Sequence, residues 1–149
     1  MKKYRYRLEP VLKIKVHKEK LRQKEHALAL QQVMSQQARL VEIETEKLKT
    51  LDQERNLLTG PLKPQLLMSA TRYLVKLKRD AILGRELLHG LEDEAEKRRL
   101  RLVEAARERK TYEKHKEKLQ KRFVQTLEQK EAKQLDELAI IRFNYRTKS

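Results

Sequence analysis

Helix-breaking residues are concentrated at one place in this chain, Thr59-Gly60-Pro61-Leu62-Lys63-Pro64. Two of the three prolines and one of the three glycines fall within these six residues. Proline removes an amide donor and clashes with the preceding turn, and glycine adds a backbone-entropy cost. Pro10 stands where a first helix would begin, a position that tolerates proline. Gly84 and Gly90 are the only other breakers. The chain therefore reads as two long helices around one turn.

Composition argues against a compact globule. The length of 149 residues suits one domain, but charged residues make up 40% and aromatics 5%, with no Trp. A globular core of this size needs more large apolar side chains. Lys, Arg, Glu, Gln, Leu and Ala dominate instead, the mix of a coiled coil or long helix. High net charge and low hydrophobicity also suit disorder, and sustained helical periodicity decides for helix. With no cysteine there is no disulfide framework and no thiolate metal site, which fits a reducing compartment. No apolar run approaches the roughly 20 residues of a bilayer span. The basic start Met1-Lys2-Lys3-Tyr4-Arg5-Tyr6-Arg7 leads into no apolar signal core, so a cytoplasmic location is expected. A net charge of +15 calls for an acidic partner: nucleic acid, anionic lipid or an acidic protein groove.

The expected fold is all-α, an antiparallel coiled-coil hairpin of two long helices with a helical tip segment. Helix one is placed at about 9–58, the break at 59–64, the tip segment at about 65–90, helix two at about 91–143 and a terminal tail at 144–149. In helix one, Ala27, Met34, Val41 and Leu48 recur at seven-residue spacing, with Leu30, Leu51 and Leu58 in the matching second position. Gln37 and Glu44 make that row partly polar, and Ile14, Leu21 and Leu28 form an earlier row one residue out of phase. In helix two, Leu91, Ala95, Leu102, Ala105, Tyr112, Leu119 and Phe123 alternate three- and four-residue steps, interrupted by Arg98, Arg109 and Lys116. The stripe then shifts to Val124, Leu127, Leu138, Ile141 and Tyr145. Polar seam positions weaken a coiled coil but fix its register.

Charge suggests that register. With Pro10 near Asn144, paired residue numbers sum to roughly 154, and Glu42, Glu44, Glu46, Asp52 and Glu54 face Arg101, Arg107, Arg109 and Lys110. This leaves about 59–96 without a partner. Its Met68–Leu77 cluster either packs on the hairpin or forms a docking surface, and Gly84 and Gly90 would let it fold back or simply extend helix two.

No catalytic constellation is present. His17, His26, His89 and His115 never sit three or four apart on one helix face, so no zinc site can be argued. Ser35, Ser69 and Ser149 lack a nucleophile context, and there is no glycine-rich phosphate loop. The chain is expected to be no enzyme and to need no cofactor, metal or small-molecule substrate. Basic runs crowd both helices: Lys13, Lys15, Lys18, Lys20, Arg22 and Lys24, then Lys97, Arg98, Arg99, Arg101, and Lys114, Lys116, Lys118, Lys121, Arg122. Such charges would bind phosphates in a salt-dependent way. No base-reading cluster followed by a clean leucine zipper accompanies them. A basic helical nucleic-acid-binding protein is thus the alternative, not the leading, reading.

Two end segments carry a resemblance. Tyr4-Arg5-Tyr6-Arg7-Leu8-Glu9-Pro10-Val11-Leu12-Lys13-Ile14-Lys15 resembles the N-terminus of the FliJ/YscO-type stalk proteins of type III secretion systems, and Glu128–Ala139 resembles their C-terminal segment. Arg72-Tyr73-Leu74-Val75-Lys76-Leu77 is similar to their aromatic-plus-leucine tip, although Asp80 falls where that pattern has a small residue. The resemblance implies a monomeric hairpin similar to the central shaft of a rotary ATPase. Its terminal end would enter a hexameric export ATPase ring, through Arg7, Leu8, Val11, Leu12, Leu138, Ile141 and Arg142. Its loop end would face the cytoplasmic domain of the export gate, through Tyr73 and Leu77. Escort of secretion chaperones is a further role implied by the family. The residues do not separate a flagellar from an injectisome system, the N-terminal segment being slightly more similar to the injectisome form.

Overall fold

The computed structural model describes residues 4–147. Helix α1 spans Glu9–Leu58 and helix α2 spans Pro64–Thr147. No strand occurs among the described residues, and the two helices pack against each other as an all-α helical hairpin. Met1–Lys3 of the basic start, and Lys148 and Ser149 of the expected tail, lie outside the described residues.

The turn is built from its own sequence. At the end of α1, the Thr59 amide and hydroxyl both donate to the Asn56 carbonyl, at 3.3 and 2.8 Å. Pro64 opens α2, where its missing amide costs nothing. The Lys63 carbonyl accepts from the Leu66 and Leu67 amides at 3.1 and 3.2 Å, which starts the helical ladder. The segment 65–90 is not set apart from 91–143: both belong to α2, and Gly84 and Gly90 lie inside the helix.

Each helix buries one heptad seam. In α2 the seam follows Leu67, Leu74, Ala81, Leu88, Ala95, Leu102, Arg109, Lys116 and Phe123, with Ala70, Leu77, Gly84, Leu91, Arg98, Ala105, Tyr112 and Leu119 between them, all buried or half-buried. The row expected from Leu91 to Phe123 is therefore this seam, polar members included. In α1 the seam follows Leu12, Glu19, His26, Val33, Leu40, Lys47 and Glu54, with Lys15, Arg22, Ala29, Gln36, Ile43, Thr50 and Leu57. This corrects the expected α1 seam. Met34, Val41 and Leu48 are exposed (68% for Met34), as are Ala27, Leu30, Leu51, Leu58 and the row Ile14, Leu21, Leu28. The physical reason is that half of the true seam is polar, so apolar periodicity pointed to the wrong face.

Register is corrected as well. Glu9 pairs with Lys116, Lys15 with Glu108, Gln36 with Gly84 and Glu54 with Thr71, so that paired numbers sum to 120–125 rather than 154. The expected ladder of surface charges does not form: Glu42, Glu44 and Asp52 are exposed, and so are Arg101, Arg107 and Lys110. Exposed ion pairs are worth at most about 1 kcal/mol each and yield to seam packing. Residues 59–96 are not left over either, since Leu74, Leu77, Ala81, Gly84 and Ala95 are buried in the seam.

The chain forms two compact units. One combines the N-terminal residues through Glu19 with the chain from Glu104 onward; the other is Lys20–Val103. In the second unit the helices approach closely at Gly84. The Gln36 side-chain amide donates to the Gly84 carbonyl at 3.0 Å in a buried setting. A Cβ on Gly84 would lie 2.7 Å from Leu40 Cδ2 and 3.2 Å from Gln36 Nε2, whereas Gly90 has open space around it. Gly90→Ala is therefore expected to raise stability by about 0.5–1 kcal/mol through helix propensity. Gly84→Ala gains the same propensity but displaces Leu40 and Gln36, and should fall below Gly90→Ala by about 1–3 kcal/mol. Thermal or urea unfolding checks this, and equal stability of the two variants would contradict it.

Candidate functional site

In the terminal unit, aromatic and charged side chains tie the N-terminal segment to α2. The Tyr4 ring packs on Phe123 with centroids 5.5 Å apart. Tyr6 is buried; its hydroxyl lies 2.9 Å from His115 Nδ1 and donates to the Tyr112 carbonyl at 3.4 Å. The Lys116 ammonium stands 6.0 Å from the Tyr6 ring centre and pairs with Glu9 at 2.7 Å. Burial, reinforced by Tyr4, Tyr112 and Glu9, pushes the Tyr6 phenol above its ordinary range.

Beyond this aromatic anchor the seam becomes ionic. Glu108 accepts from Lys15 at 2.8 Å and from Lys18 at 3.1 Å, and these hydrogen bonds hold its carboxyl below the usual carboxylate range. The same contact raises Lys15. Arg109 bridges Glu113, at 2.6 Å, and Glu19, and is raised by those two bonds in that order. Glu108 with Lys15 and Lys18, and Arg109 with Glu19, join the two helices, so these pairs discriminate between registers more than they stabilise any one of them.

The expected contact residues divide by burial. Arg7 is exposed, Leu8 and Val11 are half-buried, and Leu12 is buried in the seam. Leu138, Ile141 and Arg142 are exposed on α2. Leu8 and Leu138 are not brought together: Tyr4 meets Phe123, and Leu138 lies 15 residues farther along α2. At 1.5 Å per residue that is about 22 Å. Tyr73 is exposed, while Leu77, four residues on, is only 6% exposed and packs in the seam. Leu12 and Leu77 thus hold the hairpin together and offer no free surface while it is closed.

The most open apolar surface of this unit was only partly anticipated. From Lys130 to Thr147 every described residue of α2 is exposed, including Leu135, Ile140 and Phe143 beside Leu138 and Ile141. The signal was available in the run Leu138-Ala139-Ile140-Ile141-Arg142-Phe143, which is too apolar all round for a solvated helix end. Among the described residues no cluster of His, Cys, Asp or Glu is arranged to hold a metal ion, and no helix is long and apolar enough to cross a membrane.

The ionic seam has a pH consequence. Glu108 has a lowered folded pKa, so its stabilising contribution is full above its unfolded value near about 4 and is lost as pH falls through the lower folded value. The melting temperature is expected to drop between about pH 5 and 3. Glu108→Gln should lower it at neutral pH and flatten this acid limb; an unchanged acid limb would contradict the assignment.

The family model described as Flagellar FliJ protein matches residues 3–148, nearly the whole chain. No curated protein and no solved structure matched the chain. The match extends from the tyrosine-anchored N-terminal segment through both helices to the exposed end of α2, and the chain belongs to the FliJ family of flagellar export-related proteins.

Proposed function

We propose that this protein is the central stalk of a flagellar type III export apparatus. The exposed end of α2 enters the hexameric export ATPase ring, promotes its assembly and activity, and links it to the export gate. The observation that carries this reading is the exposed stretch of α2 beyond the Tyr4–Phe123 contact. It presents Leu138, Ile141 and Phe143 on a single helix that also carries Arg142 and Arg146. A single helix is narrow enough for a ring lumen, about 10–12 Å across with its side chains. Scattered apolar side chains among cations give weak contacts that can be repeated on equivalent subunits, which suits a moving element.

Exposure selects among the contact residues. Arg7, Leu138, Ile141 and Arg142 are the ring-facing candidates, with Leu8 and Val11 at their inner margin. On the loop side, Tyr73 is the candidate for the cytoplasmic domain of the export gate, and Leu77 supports it from the seam. Escort of secretion chaperones belongs to the same reading, with the chain working as a monomer at the cytoplasmic base of the apparatus.

The test measures ATP hydrolysis and hexamer formation by the cognate export ATPase with and without this chain. Wild type is expected to raise both. Leu138→Asp with Ile141→Asp should lose most of the stimulation while circular dichroism and melting temperature stay unchanged, because both side chains are exposed. Absence of stimulation by wild type, or full stimulation by the double variant, would overturn the proposal.

A further inference from the structure

The unit formed by Lys20–Val103 carries a second heptad row that nothing in the chain covers. On α1, Leu30, Met34, Val41, Leu48, Leu51 and Leu58 keep alternating three- and four-residue spacing, with Gln37, Glu44 and Arg55 at the polar places, and all six apolar members are exposed. On α2, Met68, Val75 and Ile82 recur every seven residues and are likewise exposed. Single exposed leucines need no explanation, but nine in register on two adjoining helices do.

Both rows lie along the same edge of the helix pair. A hollow there is lined by Val41 and Glu44 of α1 and by Ala81 and Arg85 of α2. The opposite edge is marked by a hollow lined by Arg39, Asp80, Leu83 and Leu87. Tyr73 is seven residues before Asp80 and so belongs to that opposite edge. The apolar strip is therefore distinct from the face that presents Tyr73. With register sums near 123, Val41 stands level with Ile82 and Leu48 with Val75, so the two rows run side by side, and the hollow between them is lined in part by Glu44 and Arg85. From Leu30 to Leu58 it runs for about 42 Å, four heptads.

We infer that this strip is a docking groove for one amphipathic helix of another protein, with an apolar heptad seam and acidic flanks. The groove has the period of a coiled-coil seam, which fits a helix and not an extended peptide. Its charge sets the partner's flank. Arg72, Lys78, Arg79 and Arg85 border it on α2, and none of the four is ion-paired among the described residues. On the α1 side, Gln31, Gln37, Ala38 and Thr45 are uncharged, and Glu44, Asp52 and Arg55 are the charges along the row. Acidic side chains on the incoming helix would find partners along the α2 border. A second copy of this chain fits poorly, because each copy brings a net charge of +15.

The test uses the full chain and a synthetic helical peptide of about 28 residues, with Leu at d, Ala at a and Glu at e and g. A scrambled peptide of equal composition controls for charge alone. At about 0.15 M salt, fluorescence anisotropy should show the patterned peptide binding about ten-fold tighter than the scrambled one. Val41→Asp with Leu48→Asp should remove that preference, and Arg79→Glu with Arg85→Glu should weaken it several-fold. Leu28→Asp, exposed but off the strip, should leave it intact. Equal binding of both peptides, or indifference to the strip variants, would overturn the inference. So would a wild-type dimer in sedimentation that the strip variants dissociate, since a second copy would then be the occupant. ATPase stimulation is read separately with Leu138 and Ile141 variants, so failure here and failure of the stalk role are distinguishable.

Discussion

The hairpin depends on two half-polar heptad seams finding one alignment. Apolar burial alone would permit several, because Leu, Ala and Val recur every seven residues on both helices and no large side chain is fully buried among the described residues. The Gln36 amide needs the Gly84 carbonyl, and the helices approach closely there because residue 84 has no side chain. A one-heptad slip would leave a buried amide unsatisfied, at a cost of about 1–3 kcal/mol. In the terminal unit, Glu108 with Lys15 and Lys18, and Arg109 with Glu19, also cross between the helices and favour the same alignment.

That division between specificity and adhesion explains what could be read from the residues. The turn at 59–64 was legible because Gly60, Pro61 and Pro64 have few other uses in helical text. The α2 seam was legible because Leu91, Ala95, Leu102 and Ala105 keep phase through Arg98. On α1 the rule failed. Its seam holds Lys15, Glu19, Arg22, His26, Gln36 and Lys47, while the cleaner apolar row through Met34, Val41 and Leu48 faces outward. Hydrophobic periodicity identifies a contact face, not which contact it makes. Placing charges in facing columns then compounded the error, because the pairs that matter, such as Lys15 with Glu108, lie in the seam and not beside it.

The candidate site was partly legible for the same reason. Leu138, Ile141 and Tyr73 are exposed, but Leu12 and Leu77 are seam residues that share their spacing. Membership of the FliJ family sets the export context. Within it, the structure separates three surfaces: the exposed end of α2, the edge bearing Tyr73, and the heptad strip along Val41 and Ile82. A chain with so small a shared interior leaves many of its large apolar side chains exposed.

The most direct measurement is cysteine cross-linking of register, made simple by the absence of native cysteine. Glu54→Cys with Thr71→Cys, and separately Lys15→Cys with Glu108→Cys, are expected to be joined efficiently within one chain by a short thiol-reactive linker. Glu54→Cys with Leu100→Cys, and Lys15→Cys with Ala139→Cys, should not be joined. Efficient linkage of the second set, or of neither set, would contradict the seam alignment on which the rest of the account stands.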